Sequence, residues 1–275
     1  MQLIEWPQFL EEALPFGENR SAITVGVFDG VHRGHRALIE RVVAHKVARG
    51  AGTVPVAVTF RQSNYKKNLG AGREYPGDIL SFRQKLAIFE DLGVSVTIVI
   101  DFSESFMRMS GTDFLRILYD HGKMSFLAVG SNFRCGFRLD TDAPAIQKFC
   151  AGIDIPAAVI EPLTEGSQPI SSSRIRSALS HGNLNVAQTM LGHPFTVDLA
   201  GASVSRSGIA SNAIVYDIAG QGRLLPQPGS YSAILLAKAG RDYIRKPAEI
   251  LVEGGNIIIG GKLADTAPEY VEFKP

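Results

Sequence analysis

The sequence has few of the features that mark secreted proteins, zinc-binding proteins or membrane proteins. It contains only two cysteines, Cys135 and Cys150, which are too few for a disulfide scaffold and lack the spacing of a zinc site. We expect both to be free thiols in a reducing compartment. The first residues show no basic segment followed by an apolar one, and no apolar run is long enough to span a bilayer. We therefore expect a cytoplasmic protein that does not bind a membrane.

An excess of charge of either sign is also absent. Lysine and arginine total 28 and aspartate and glutamate total 27, giving a formal net charge of +1. Attraction of the whole surface to nucleic acid or acidic lipid is not indicated, so any anion site must be local. A chain of 275 residues with 45% hydrophobic content has enough material for one large or two modest folded domains.

One stretch of ten residues is typical of a phosphate-binding turn. Gly26-Val-Phe-Asp-Gly-Val-His-Arg-Gly-His35 follows a short apolar run and precedes a helical pattern over residues 37–47. The first N–H groups of a helix have no internal partner and carry partial positive charge, which attracts phosphate. His32 and His35, three residues apart, would add donors, and Gly34 leaves room for a nucleotide. Such a pair favours a functional role over ordinary surface histidines.

This His-x-Gly-His arrangement resembles the signature of nucleotidyltransferases that attack the α-phosphorus of ATP and expel pyrophosphate. The attacking group in such a reaction belongs to the substrate, so the enzyme needs no covalent nucleophile. The protein instead aligns the reactants and stabilises charge on the transferring phosphorus.

Strand and helix patterns alternate through the first part of the chain. A long polar loop is expected over residues 61–78, with Tyr65, Lys66, Lys67 and Arg73. Strands are predicted over 53–60, 94–100, 126–129 and 157–160, and helices over 81–92 and 112–121. This order predicts a mostly parallel, Rossmann-like α/β sheet whose ligand site lies at the carboxyl ends of the strands.

Two later segments carry further candidate residues. Asn132, in Gly130-Ser-Asn-Phe-Arg-Cys-Gly136, has an amide suited to phosphate or ribose, although asparagine is also common in turns. The serines and arginines of Pro169-Ile-Ser-Ser-Ser-Arg-Ile-Arg176 precede a helical run. Alone they indicate a well-capped helix with exposed arginines. Beside the first motif, they favour a second anion-binding helix start.

The C-terminal part, from about Pro194, changes character. Short apolar runs over residues 213–216, 231–237, 249–252 and 256–259 are separated by Gly, Pro and Asp, which predicts a small antiparallel β domain. We expect two domains, residues 1–190 and 191–275. The stretch from Gly255 to Lys262 is not a P-loop, because Gly261 and Leu263 stand where lysine and serine or threonine are needed.

Four separated segments together closely resemble the prokaryotic riboflavin kinase/FAD synthetase family over residues 1–194. They are the His-x-Gly-His stretch, the Asn132 segment, Ile170-Ser-Ser-Ser-Arg-Ile-Arg176 and Leu191-Gly-His-Pro194. The resemblance implies an FMN adenylyltransferase, in which the phosphate of FMN attacks the α-phosphorus of ATP with Mg²⁺ present, giving FAD and pyrophosphate. It also implies that the partners are these small molecules, and it assigns no metal ligand in this chain.

The resemblance assigns roles by position. The residues expected to contact reacting phosphates are His32, His35, Asn132 and Arg176. Those expected to bind the nucleotide are Gly26, Phe28, Asp29, Gly34, Ser172, Ser173 and Arg174. The chain departs from the family pattern where Arg61-Gln-Ser-Asn64 replaces a Pro-His-Pro turn on the flavin side, where Cys135 replaces phenylalanine, and where Ser173 replaces threonine.

A larger departure concerns the kinase part of the family. The Pro-Thr-Ala-Asn segment that serves Mg-ATP binding in riboflavin kinase barrels is missing, although Pro228-Gly-Ser-Tyr231 still resembles such a barrel. We therefore expect FAD synthesis without riboflavin kinase activity. The alternatives are a bifunctional enzyme, a catalytically silent flavin- or nucleotide-binding protein, and a relative that adenylylates nicotinamide mononucleotide or phosphopantetheine.

Overall fold

The computed structural model describes residues 1–14, 19–49, 52–61, 77–206, 213–240, 242–260 and 267–275, with the backbone alone at 46–49. Contacts between Cα atoms group the chain into two compact units. The first comprises Met1–Phe28, Gly34–Ala71 and Lys85–Pro169, and the second comprises Asp29–Arg33, Gly72–Gln84 and Ile170–Pro275. The motif that holds His32 and His35 is therefore divided in sequence between the two units.

Strands and helices have the following bounds. Along the described chain the strands are β1 (Gln2–Glu5), β2 (Arg20–Val25), β3 (Thr53–Phe60), β4 (Val96–Ile100), β5 (Met124–Gly130), β6 (Arg134–Cys135), β7 (Thr141–Asp142), β8 (Ala157–Ile160), β9 (Thr164–Glu165), β10 (Gln168–Pro169), β11 (Thr196–Asp198), β12 (Ser203–Arg206), β13 (Ile214–Asp217), β14 (Gly229–Ala239), β15 (Asp242–Glu253), β16 (Asn256–Ile259) and β17 (Tyr270–Phe273). The helices are α1 (Trp6–Glu11), α2 (Arg33–Arg49), α3 (Phe82–Asp91), α4 (Glu104–Met107), α5 (Gly111–Asp120), α6 (Ala143–Gly152), α7 (Ser172–Ser180) and α8 (Leu184–Leu191), with 3-10 turns at Phe137–Leu139 and Ala219–Gln221.

The first unit is built on a parallel sheet in the order β1-β4-β3-β2-β5-β8. Its central strands are near-continuous apolar runs, as expected for strands covered on both faces. All five residues of β4 are buried, as are five of the six in β2. Val25 at the end of β2 is in register with Val58 in β3. The carboxyl ends of these strands therefore deliver the turn at Gly26 to the edge where ligands bind in such sheets.

Short polar side chains set the starts of two helices in this unit. The side chain of Ser110 accepts the N–H of Asp113 at 3.1 Å at the start of α5. Asp142 accepts the N–H of Ala145 at 3.1 Å, and Pro144 lies in the first turn of α6. Both pairs satisfy N–H groups that a helix leaves without partners, so the sequence encodes these starts locally.

The second unit combines α7 and α8 with an antiparallel sheet in the order β11-β17-β14-β15-β16-β13-β12. Leu179 and Leu191 from the helices are fully buried in the same cluster as Phe195 and Phe273. The rings of Phe195 and Phe273 lie 5.5 Å apart. This core depends on apolar alternation in the strands and on one apolar face of each helix.

The predicted fold class is confirmed, because a parallel α/β sheet is followed by an antiparallel sheet. The cysteines are free thiols, as expected. Among the described residues, none of the helices combines the length and apolarity needed to cross a membrane. The expected loop at 61–78 lies mostly outside the described residues, as do positions 261 and 262. The division between residues 190 and 191 stays a prediction.

Several bounds differ from the prediction. The helix predicted over residues 37–47 begins at Arg33, so His35 lies inside its first turn rather than before it. The reason is that Arg33, Gly34 and Arg36 give no apolar periodicity from which a start could be read. Sequence reasoning missed the strands β1, β6, β7, β9, β10, β11, β12 and β17 and the helices α1, α4 and α8. Every residue of β12 is exposed, so this edge strand shows no inward apolar side.

Candidate active site

In the first unit, the chain leaves β2 through a tight turn. The N–H of Gly26 donates to the carbonyl of Val58 at 3.1 Å. Phe28 has φ +53° and its ring folds back over Gly26, where a Cβ would lie only 3.0 Å from the ring. Phe28 is fully buried and meets Phe89 and His35 edge-on, with ring centroids 5.4 Å and 5.2 Å away. A side chain at position 26 would therefore require the buried Phe28 ring to shift.

A cavity of about 730 Å³ opens at the carboxyl ends of β2, β3 and β5. Its wall includes four predicted site residues of the first unit, Gly26, Phe28, His35 and Asn132. Much of the remaining wall is aromatic, and the rings of Phe60 and Phe102 stack at 4.8 Å with planes 12° apart. An apolar cavity with a few convergent polar groups is the usual form of a small-molecule site.

Asn132 and Cys135 lie in the turn that follows β5. The N–H of Phe133 donates to the carbonyl of Gly130 at 3.0 Å, which closes the turn and leaves Asn132 exposed at the cavity. Burial, with a smaller contribution from the charge of Asp140, raises the pKa of Cys135 to about 12. The Cys135 side chain therefore stays an uncharged thiol at neutral pH and is a poor nucleophile.

In the second unit, Asp29 and Arg176 form a buried ion pair. The Arg176 guanidinium donates to one carboxylate oxygen of Asp29 and, through Nε, to the carbonyl of Gly77 at 3.1 Å. The other carboxylate oxygen of Asp29 accepts the N–H of Ile79 at 3.1 Å. Asp29 and Arg176 were predicted to contact the nucleotide and the reacting phosphates, which stays a prediction, and the structure shows that the two side chains pair with each other.

His32 lies in the same unit and is almost fully buried. Burial is the largest cause that lowers its pKa to about 4; a backbone hydrogen bond opposes this shift and the charge of His193 adds to it. His32 is therefore a neutral imidazole at pH 7, with one N–H donor and one acceptor nitrogen. Such a ring can donate to a phosphate oxygen without carrying charge of its own.

His193 is a residue to which sequence reasoning gave no role. Its Nε2 lies 2.9 Å from the carbonyl oxygen of Gly30, and its Nδ1 lies 2.9 Å from that of Pro194. Gly30 has φ +81°, and a Cβ there would meet Ile79 and Leu191 at 3.2 Å. The segment Leu191-Gly-His-Pro194 was recognised as part of the family resemblance, so the signal was present without an assignment.

The predicted second anion site is the start of α7. Its N-cap is Ser171, whose side chain accepts the N–H of Arg174 at 3.3 Å. Ser172 donates through Oγ to the carbonyl of Asp29 at 2.8 Å, whereas Ser173 is exposed. The first turns of α2 and α7 contain no acidic side chain, so no carboxylate of either helix offsets the partial positive charge of its start.

A dedicated metal cage is absent from the described part of the chain. Within that part, no group of three or more His, Cys, Asp or Glu side chains is placed to hold an ion. The Asp29 carboxylate already accepts from Arg176 and Ile79. A nucleotide that carries Mg²⁺ on its phosphate oxygens needs no such cage, because Mg²⁺ commonly keeps water and substrate phosphates as ligands.

Comparison with known proteins identifies the family to which the chain belongs. Residues 16–174 match the family model described as FAD synthetase, which is more than half of the chain, and the chain belongs to that family. The bifunctional riboflavin kinase/FMN adenylyltransferase of Escherichia coli (strain K12) is 32% identical over 176 residues, covering 64% of this chain and 55% of that protein. The protein of the same name from Bacillus subtilis (strain 168) is 29% identical over 180 residues, covering 65% and 55%. The match thus spans little more than half the length of these relatives.

A solved structure resembles the whole chain in fold. The crystal structure of a macrolide-efflux protein from Streptococcus pneumoniae superposes with a TM-score of 0.78 and 22% sequence identity. The superposition covers 99% of this chain and 90% of that one. At this level of identity the likeness concerns the fold alone.

Proposed function

We propose that this protein is an FMN adenylyltransferase, which transfers AMP from ATP to FMN and so produces FAD and pyrophosphate. The observation that carries the proposal is the cavity of about 730 Å³, where aromatic rings share a wall with His35 and Asn132. Membership of the FAD synthetase family supports it. The proposed partners are the small molecules FMN and MgATP, and the free cysteines support a cytoplasmic location.

The aromatic wall suits the isoalloxazine ring of the flavin. Flat rings gain stability from stacked and edge-on contacts, which Phe60, Phe102 and Phe106 can supply. Arg61, where the family has its Pro-His-Pro turn, forms ion pairs with Glu5 at 2.6 Å and Asp101 at 3.5 Å. We propose that the stacked aromatic pair, rather than that turn, orients the flavin in this protein.

The phosphates of ATP would be held by donors that stay fixed during the reaction. In the first unit these are His35 and Asn132, with the N–H groups at the start of α2. In the second unit we assign phosphate contacts to His32, Arg176 and the first turn of α7, which holds Ser172, Ser173 and Arg174. Neutral and cationic donors of this kind stabilise the charge that develops on a transferring phosphoryl group.

The chemical step requires no covalent intermediate on the protein. An oxygen of the FMN phosphate attacks the α-phosphorus of ATP, and a new P–O–P bond forms. The bond from that phosphorus to the bridging oxygen breaks, and its electron pair leaves with pyrophosphate. The protein contributes alignment, which alone can lower the barrier by about 7 to 11 kcal/mol, and it contributes fixed donors at the reacting phosphorus.

The C-terminal part is proposed to lack riboflavin kinase activity. No Pro-Thr-Ala-Asn segment occurs in the chain, and residues 207–212 of the corresponding region lie outside those the structure describes. Residues 191–275 would then stabilise the protein or mediate association. A bifunctional enzyme is the second candidate, because relatives in Escherichia coli and Bacillus subtilis carry that description.

One incubation series separates these functions. Purified protein with MgATP receives either FMN or riboflavin, and flavins are separated by chromatography. FAD from FMN with riboflavin unchanged supports the proposal, whereas FMN or FAD from riboflavin establishes the bifunctional alternative. His35→Ala should abolish FAD formation, and His181→Ala serves as the matched control because His181 is exposed. If His35→Ala makes FAD at the wild-type rate, the assignment of the site is wrong.

A further inference from the structure

Helix α3 carries a buried lysine that takes no part in the proposed reaction. Lys85 is only 2% exposed. Its Nζ lies 3.1 Å from each of three oxygens, the carbonyls of Val27 and Phe60 and the hydroxyl of Thr59. An ammonium group has three N–H donors, and burying one is costly unless it is hydrogen-bonded. The position of these three oxygens therefore indicates what the lysine does.

All three oxygens lie where the chain leaves the central strands of the first sheet. Thr59 and Phe60 are the last residues of β3, and Val27 follows the end of β2 by two residues. The carbonyl of Val27 also accepts the hydroxyl of Thr59 at 3.2 Å. Lys85 thus joins the ends of two neighbouring strands at the edge where the cavity opens.

The next residue along the chain, Phe28, links this contact to the site. Phe28 has φ +53°, a conformation that is rare for a bulky side chain and persists only where the surroundings enforce it. Its ring packs edge-on against Phe89, which lies one helical turn after Lys85 on α3. The same ring contacts His35 at 5.2 Å. Helix α3 therefore holds the carbonyl of Val27 through Lys85 and the ring of Phe28 through Phe89.

We propose that Lys85 is a positioning residue that fixes His35 and the aromatic wall of the cavity for adenylyl transfer. This inference rests on the proposed function. Lys85 acts on His35 through Val27 and Phe28. It acts on the aromatic wall through the carbonyl of Phe60, whose ring lines the cavity. Lys85 itself touches no substrate in this assignment, so its replacement should affect the reaction more than the binding of ATP.

The first test is kinetic. Lys85→Met keeps the length of the side chain and removes the three donors. We expect kcat for FAD formation to fall about 100-fold, because a misplacement of a reacting group by about 1 Å can slow a reaction by that factor. We expect KM for ATP to stay unchanged. Lys148→Met is the matched control, since Lys148 is exposed on α6 in the same unit. A folded Lys85→Met protein with wild-type kcat would overturn the proposal.

A second, milder variant guards against misfolding. Phe89→Leu keeps an apolar side chain and weakens the other contact that holds Phe28. Because both residues act through Phe28, we expect the double variant to lose less than the product of the two single losses. If the two losses multiply fully, Lys85 and Phe89 act independently and the proposed linkage is refuted.

A spectroscopic test does not depend on activity. The ring protons of His35 sense the adjacent Phe28 ring, so their NMR signals should move in Lys85→Met and in Phe89→Leu. The signals of His181, which is exposed, should stay in place. Unmoved His35 signals would refute the placement whatever the enzyme does. Moved signals in a protein that makes no FAD from FMN would support the placement and disprove the proposed reaction.

Discussion

The ion pair between Asp29 and Arg176 predicts a large loss of stability from the loss of one charge. Asp29 is 3% exposed and Arg176 is 18% exposed at their side chains. In Asp29→Asn the amide oxygen can still accept the N–H of Ile79, which now bonds to Asp29 at 3.1 Å. The variant therefore removes the negative charge that faces the largely buried guanidinium of Arg176.

The expected magnitude follows from burial. Removing one partner of a buried ion pair costs about 3 to 5 kcal/mol. Because Arg176 keeps some contact with water and its hydrogen bond to Gly77, we expect the low end, about 3 kcal/mol. In a protein of this size that corresponds to a fall in Tm of roughly 6 to 12 °C.

The assay is urea unfolding together with calorimetry, with Glu269→Gln as the control. Glu269 pairs with Arg83 at 3.2 Å in the same unit, but both side chains are substantially exposed, at 30% and 41%. Its loss should cost about 0 to 1 kcal/mol. If the free energy of unfolding of Asp29→Asn lies within about 1 kcal/mol of that of the control, the pair does not stabilise the motif. Arg176→Gln added to Asp29→Asn should cost little more, because no uncompensated charge remains.

Two further predictions concern the same turn. Because the folded-state pKa of His32 is about 4 and its ordinary value is 6.5, the unfolded chain takes up a proton first as the pH falls. The contribution of His32 to the free energy of unfolding should therefore be fully present above pH 6.5 and fall by about 3 kcal/mol towards pH 4. His32→Gln should flatten this part of the plot of urea midpoint against pH. Gly30→Ala should destabilise by about 1 to 2 kcal/mol more than Gly166→Ala, since both glycines have positive φ but only at Gly30 would a Cβ meet neighbours within 4 Å; equal losses in thermal unfolding would contradict the steric argument.

The fold was largely readable from the sequence because apolar runs stand between clear breakers. The strands Ala157–Ile160 and Asn256–Ile259 were predicted with the bounds that the structure has. The first strand, Gln2–Glu5, has only one buried residue, so its pattern is weak. Ser203–Arg206 pairs at the edge of the second sheet although all of its side chains are exposed. Such strands form because they pair with neighbouring strands in the folded sheet, and the local sequence pattern does not predict them.

The candidate site could be predicted from the sequence only in part, because some of its contacts join distant parts of the chain. Glycines and histidines before a helix indicate an anion site because the helix start itself supplies the physics. The contact of Arg176 with Asp29 joins residues 147 positions apart, and no local pattern encodes that distance. From sequence alone, a lysine in a helix such as Lys85 is normally predicted to face solvent. Its burial follows from the three oxygens that the strand ends place around it.

The packing of the His-x-Gly-His stretch also bears on where a functional module can end. Phe28 is held in the core of the first unit by Phe89, whereas Asp29, the next residue, is held in the second unit by Arg176. The motif is thus fixed through contacts made separately in each unit. A module ending at residue 190 would keep Arg176 but lose His193, which meets the carbonyl of Gly30 at 2.9 Å. The turn to which we assign phosphate binding is therefore also held by chain beyond residue 190.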